Sequence, residues 1–164
     1  MIVLGIDPGL ALLGYGALDT DGVKHRLLGY GVIETHAGVP APRRLSEIQR
    51  GMRGLIEAYR PDDVAFEELF FARNVKTALM IGAARGVAIA AAAEYTENLY
   101  EYTPMQIKQA VAGYGRAEKA QVQQMVKLLL GMSELPRPDD AADGIAVAVT
   151  HAHAGRAKEQ FLLK

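Results

Sequence analysis

The sequence predicts an α/β fold, a five-stranded mixed sheet with helices on both faces. Three observations carry that expectation. The first 35 residues alternate apolar runs with turn residues, as a strand meander does. From Pro40 onward apolar residues recur every three or four positions, the helical period. Two short apolar stretches, 64–66 and Leu99–Tyr102, interrupt that helical texture as isolated strands.

In chain order, residues 1–6 form an almost unbroken apolar run with β-branched Ile2, Val3 and Ile6, which suits a strand covered on both faces. Asp7-Pro8-Gly9 is a turn, 13–18 reads as a second strand, and Asp19-Thr20-Asp21-Gly22 is a second turn with an Asp-Gly pair. Residues 23–35 make a third strand, with a bulge expected near Gly29 and Gly31. Leu45, Ile48, Met52, Leu55 and Ile56 line one face of a helix over 40–59, which Pro61-Asp62-Asp63 ends. A long helix spans 75–95, and three more follow the fifth strand at 104–111, 119–130 and 138 to about 154. The order is βββαβαβααα. With acids at the ends of strands one and four, and those strands as neighbours, the arrangement resembles the ribonuclease H-like fold.

A length of 164 residues fits one domain over 1–164, with half the residues hydrophobic and 23% charged. The chain has no Cys, so neither disulfides nor thiolate-held metal are expected. The N-terminus has no basic leader, and the apolar run over 87–93 is too short to span a bilayer. These features predict a cytoplasmic protein with no membrane partner. A net charge of −1 looks unfavourable for a nucleic-acid binder, yet the charges are unevenly spread. Arg73, Lys76 and Arg85 occupy 73–93 without an acid, and Lys108, Arg116, Lys119 and Lys127 face only Glu118 over 105–130.

The acids carry the chemistry. Asp7 ends a strand of buried character, where an unpartnered carboxylate is costly. Glu67 and Glu68 directly follow the fourth strand. In "PDDAADGIAVAV", Asp140 and Asp143 lie three residues apart on one face of a helix. The helix dipole explains Asp139 and Asp140 at the start, but Asp143 lies deeper among small apolar residues. Three or four carboxylates can hold two divalent ions about 3.5–4 Å apart, which activate water and stabilise the leaving oxygen in phosphodiester hydrolysis. Mg²⁺ suits such oxygen ligands, with Mn²⁺ as a substitute. Taking four of the 19 acids out of the count leaves 15 against 18 bases, a remainder of +3. His151 and His153 lie too far along their helix from Asp143 to join such a site, and are expected to complement the helix C-terminus.

"GIDPGLALLGYG", "EELFFARN", "ARGVAIAAAAE", "IKQAVAGYGRAEKAQVQQMV" and "DDAADGIAVAVTHAH" resemble, in order and spacing, the RuvC family of Holliday junction resolvases, over residues 1 to about 153. The resemblance implies a homodimeric, Mg²⁺-dependent endonuclease that makes paired symmetric nicks in a four-way DNA junction and works with a branch-migration motor. It assigns Asp7, Glu67, Asp140 and Asp143 as the catalytic, metal-holding quartet, favouring Glu67 over Glu68. Lys108 and Lys119 match family lysines around the loop "AGYGR", and Phe70 matches an aromatic that probes the junction centre. Arg73, Lys76 and Arg116 complete the expected DNA-binding set. One departure is the short segment after the last helix, where the family's basic tail has little counterpart.

Strand alternation bears on the choice between the glutamates. It puts Asp63, Ala65 and Glu67 on one face of the fourth strand, and Val64, Phe66 and Glu68 on the other. The helix "TALMIGAARGVAIAAAAE" has no polar stripe, so burial all round is expected, with the sheet on one side and a second subunit on the other. Two other readings compete: a phosphate-loop ATPase or kinase-like domain, suggested by "GIDPG", and a non-catalytic junction-binding module.

Overall fold

The structure, a computed structural model, describes residues 1–69 and 75–164. Its sheet contains β1 (Ile2–Asp7), β2 (Leu12–Thr20), β3 (His25–Glu34), β4 (Asp63–Glu67) and β5 (Leu99–Tyr102), in the order β3-β2-β1-β4-β5. The first three strands form the expected antiparallel meander, while β4 runs parallel to β1 and β5 parallel to β4. Pairing of β2 with β3 shifts between Ala17 and Leu18, which face Gly29 and Leu27, so Leu28 forms the bulge beside Gly29.

Helices α1 (Ala41–Tyr59) and α2 (Val75–Ala93) follow β3 and β4. Helices α3 (Pro104–Ala112), α4 (Lys119–Leu129) and α5 (Asp139–Ala154) follow β5, and a 3₁₀ turn, Gly155–Phe161, ends the fold. The predicted elements therefore recur with small changes at their ends. Alternation along the strands divides the core in two. Leu4, Ile6, Val64 and Phe66 face α1 and α2 in one cluster. Val3, Ala65, Tyr100 and Tyr102 face α3, α4 and α5 in the other.

Helix α5 lies against the sheet at close range, and glycines permit it. A Cβ on Gly14 would stand 1.8 Å from the Asp140 carbonyl oxygen, and one on Gly144 would stand 2.5 Å from the Tyr15 backbone. This approach carries the first turns of α5, with Asp140 and Asp143, up to the end of β1.

Helix α2 packs Ala84, Ala88, Ala91 and Ala92 against the core of its own chain, whereas Val75 and Leu79 on it are 72% and 69% exposed, so the chain itself covers only one side. By length and composition the same 19-residue helix could cross a membrane, which its shorter apolar core over 87–93 did not suggest. Its alanine face and the Arg85–Glu101 ion pair, 2.6 Å, tie it to the sheet. One expectation is corrected: His151 does not simply complement the end of its helix. It is buried, with Nδ1 2.8 Å from the Tyr102 hydroxyl and Nε2 2.8 Å from Asp63 Oδ2. His153 does lie exposed near the end of α5, 3.2 Å from the Ala110 carbonyl oxygen.

Candidate active site

Register and alternation bring the first two acids together. Ile6 pairs with Phe66, so Asp7 and Glu67 are the next residues along two parallel neighbours, both on the α5 face. Asp143 reaches the same point from the second turn of α5. These three carboxylates, with Lys108 of α3 and Lys119 of α4, line a cleft of about 370 Å³ floored by Ile107, Val122 and Ala146. Glu68 is exposed, and its backbone N–H donates to the Tyr102 carbonyl at 2.8 Å.

The electrostatics are those of a concentrated, undercompensated negative cluster. Burial and the neighbouring Glu67, Asp143 and Asp140 push the Asp7 carboxyl up to about 8. Burial and Asp143 push Glu67 up to about 7, against the opposing pull of Lys119 and Lys108. Asp7 and Glu67 stand close enough to share a hydrogen bond, which raises Asp7 and lowers Glu67. Asp143 is also raised by burial, although Lys119 Nζ donates to its Oδ2 at 2.7 Å. Burial works against the Lys119 ammonium, but the bond and charge of Asp143 outweigh it and hold Lys119 above its ordinary range.

Asp140 stands apart from the other three. It is half-buried in the first turn of α5 and near enough to raise Asp7, but it does not line the cleft. Among the described residues, no three carboxylates or histidines are already drawn into a closed metal cage. The donor set nonetheless fits a hard divalent cation. It is all oxygen, it converges from three elements, and its carboxyls are raised for want of countercharge.

Of the expected DNA contacts, Lys108 and Lys119 flank the acids. Lys76 is exposed at the start of α2. Arg116 lines a separate groove of about 690 Å³ behind α3, with Tyr102, Met105 and Phe161. Phe70 and Arg73 lie outside the described residues.

Carboxylates at the ends of two parallel central strands, completed from a helix packed across them and flanked by lysines, define a nuclease of the ribonuclease H-like class. The family model for crossover junction endodeoxyribonuclease RuvC matches residues 3–151. A crossover junction endodeoxyribonuclease RuvC from Alkaliphilus oremlandii is 54% identical over 164 residues, covering 100% of both chains. Its counterpart from Brevibacillus brevis is 54% identical over 152 residues, 93% of this chain and 92% of that one. The structure of T. thermophilus RuvC in complex with Holliday junction substrate superposes with a TM-score of 0.90 at 42% identity, covering 96% of each chain. The yeast mitochondrial resolvase Ydc2 shares the fold, with a TM-score of 0.66 at 14% identity, over 96% of this chain and 85% of that one. The chain belongs to the RuvC family of crossover junction endodeoxyribonucleases. These matches do not favour the ATPase, kinase or non-catalytic readings.

Proposed function

We propose that the chain resolves Holliday junctions by paired, symmetric nicks, and that hydrolysis takes place at the Asp7–Glu67–Asp143 cleft with two Mg²⁺ ions, for which Mn²⁺ substitutes. The observation that supports this site is the convergence of three carboxyls, raised by burial and by one another, between two lysines. A bound divalent cation supplies the missing countercharge and the polarisation that makes water a nucleophile at neutral pH. Asp7, Glu67 and Asp143 hold it, with Asp140 joining from the edge of the cleft. Lys108 and Lys119 draw the scissile strand in by its phosphates. Apolar Ile107, Val122 and Ala146 limit the water beneath it, which strengthens the charge interactions above.

Two cuts in a two-fold junction call for two sites related by the same symmetry. The apolar face of α2 not covered by the chain itself, including Val75 and Leu79, suits a homodimer contact. A branch-migration motor is the further partner this reading carries. The test is a synthetic mobile four-way junction incubated with protein and Mg²⁺, then resolved on a denaturing gel. Paired nicks in strands of like polarity are expected. Intact strands, or cuts at unrelated positions, would overturn the reading.

A further inference from the structure

The loop that follows Asp7 is held from outside the cleft by Thr35, which in turn accepts a hydrogen bond from Arg44, an arginine with no carboxylate partner among the described residues. Thr35, just past β3, is 3% exposed. Its backbone N–H donates to the Ala11 carbonyl at 2.9 Å, and its hydroxyl donates to the Leu10 carbonyl at 2.5 Å. The same hydroxyl oxygen accepts the Nε–H of Arg44 at 2.8 Å. Leu10 lies only three residues beyond Asp7, at most ~11 Å along the chain.

Arg44 differs from the arginines with a structural partner. Arg26, Arg53, Arg85 and Arg137 each meet a carboxylate at 3.0 Å or less. Arg44 has no such partner among the described residues, and the first turn of α1, where it sits, contains no acid. With Nε seated on a hydroxyl, the two terminal nitrogens are left to an anion that the described residues do not supply. They form the edge of the group that suits two phosphate oxygens. Strand β3 runs parallel to β1, so Thr35 and the start of α1 lie at the same end of the sheet as Asp7, with α1 itself on the sheet face opposite α5.

We propose that Arg44 is a phosphate contact at the end of the sheet that carries the acidic cleft, on the β3 side and on the opposite face from Lys108 and Lys119. DNA that enters the cleft is then also held where it runs past the edge of the sheet. Through Thr35, the same residue sets the loop behind Asp7. This inference rests on the resolvase reading above, since it needs DNA in the cleft.

The test is binding of a fluorescent four-way junction in EDTA across a salt series, which separates DNA contact from metal chemistry. Arg44→Gln is expected to weaken binding and to lower the slope of log K against log salt by ~0.9, the value for one phosphate contact. Arg44→Lys, which keeps the charge, is expected to hold the wild-type slope. A residue that only braces the loop would leave the slope unchanged in both variants, and that result overturns the proposal. Should Arg44→Gln fail to fold, mass-spectrometric mapping of phenylglyoxal modification on the wild-type protein decides instead. The junction is expected to shield Arg44, and undiminished reaction overturns the proposal. Wild type that does not bind the junction overturns the resolvase reading and this inference together. Normal wild-type binding, weakened by Lys108→Ala but not by the Arg44 variants, overturns this inference alone.

Discussion

Strand β4 begins and ends on a carboxylate, and both point to the same face of the sheet, yet the two ends are built in opposite ways. Asp63, 1% exposed, receives Lys158 Nζ at 2.6 Å and His151 Nε2 at 2.8 Å. Burial works against its charge, but those two bonds outweigh it and hold the carboxyl below the usual range. Burial also holds the Tyr102 hydroxyl well above the usual tyrosine range. Tyr102 therefore keeps its proton, and its hydroxyl and Asp63 bracket the two ring nitrogens of His151, each at 2.8 Å. Four residues further along, Glu67 meets Asp7 and Asp143 instead and is pushed up to about 7. One end is a closed network that pins α5 and the C-terminal turn to the sheet. The other is an open cluster whose charge is to be balanced from outside. A buried carboxylate with its partners inside the chain serves the fold; under the proposed function, one whose neighbours are also acids serves chemistry.

The largest effect that sharpens this contrast is on catalysis. Asp7→Asn is expected to slow junction cleavage by a thousandfold or more, about 4 kcal/mol in the barrier, while junction binding in EDTA stays within a few-fold of wild type. Cleavage and binding falling together would mean that the open end also serves structure or affinity. Next comes Asp63→Asn, which leaves the Lys158 ammonium and His151 facing a neutral amide. Loss of one partner from a buried ion pair costs ~3–5 kcal/mol, so urea denaturation is expected to show a loss of that order, with cleavage per folded molecule kept. A stable Asp63→Asn protein that has lost cleavage would erase the distinction between the ends.

The adjacent glutamates give a finer comparison. Glu67→Gln is expected to lose cleavage by several orders of magnitude. Glu68→Gln, exposed on the opposite face, is expected to stay within tenfold, at most about 1.4 kcal/mol. A reversal in single-turnover rates would assign the chemistry to the other face of β4. The smallest effects are those of Lys108→Ala and Lys119→Ala, each lowering the salt slope of junction binding by ~0.9. Unchanged slopes would place the phosphate path elsewhere.

Much of the open end was legible in the sequence, because its parts are local. A strand that runs into Asp7 and a turn, alternation along β4, and Asp140 and Asp143 on one helical face are each patterns within a few residues. The closed end was not. His151 at the end of an apolar helix is consistent with a dipole role, and its real partner, Asp63, is 88 residues away. Only the order in which β4 enters the sheet, between β1 and β5, brings them together. Helix α2 was legible only in part. A helix without a polar stripe calls for cover, but composition does not say whether its own chain supplies it on every side. The Thr35–Arg44 bond left no pattern either, since it joins a loop to a helix whose charges look like ordinary surface. The glycines at 14 and 144 were visible, but their purpose, letting α5 touch the sheet, appears only in the packing.

The contrast also sets opposite pH dependences. Asp63 has a folded pKa below its ordinary 3.8, so its stabilisation is present above that value and is lost as pH falls through the folded pKa. Asp7 and Glu67 have folded values raised to about 8 and about 7. Their contribution is full below about 4 and is lost as pH rises through those values. The most direct measurement of the account is therefore the melting temperature of wild type and Asp7→Asn at pH 8, in EDTA and in millimolar Mg²⁺. Relief of the charge cluster is expected to make Asp7→Asn melt above wild type in EDTA, by about 2–4 °C for each kcal/mol gained. Mg²⁺ is expected to raise the wild type and to leave the variant nearly unmoved. An Asp7→Asn protein that melts below wild type in EDTA, or that responds to Mg²⁺ as fully as wild type does, would contradict the claim that these carboxylates are held apart from internal partners in order to bind metal.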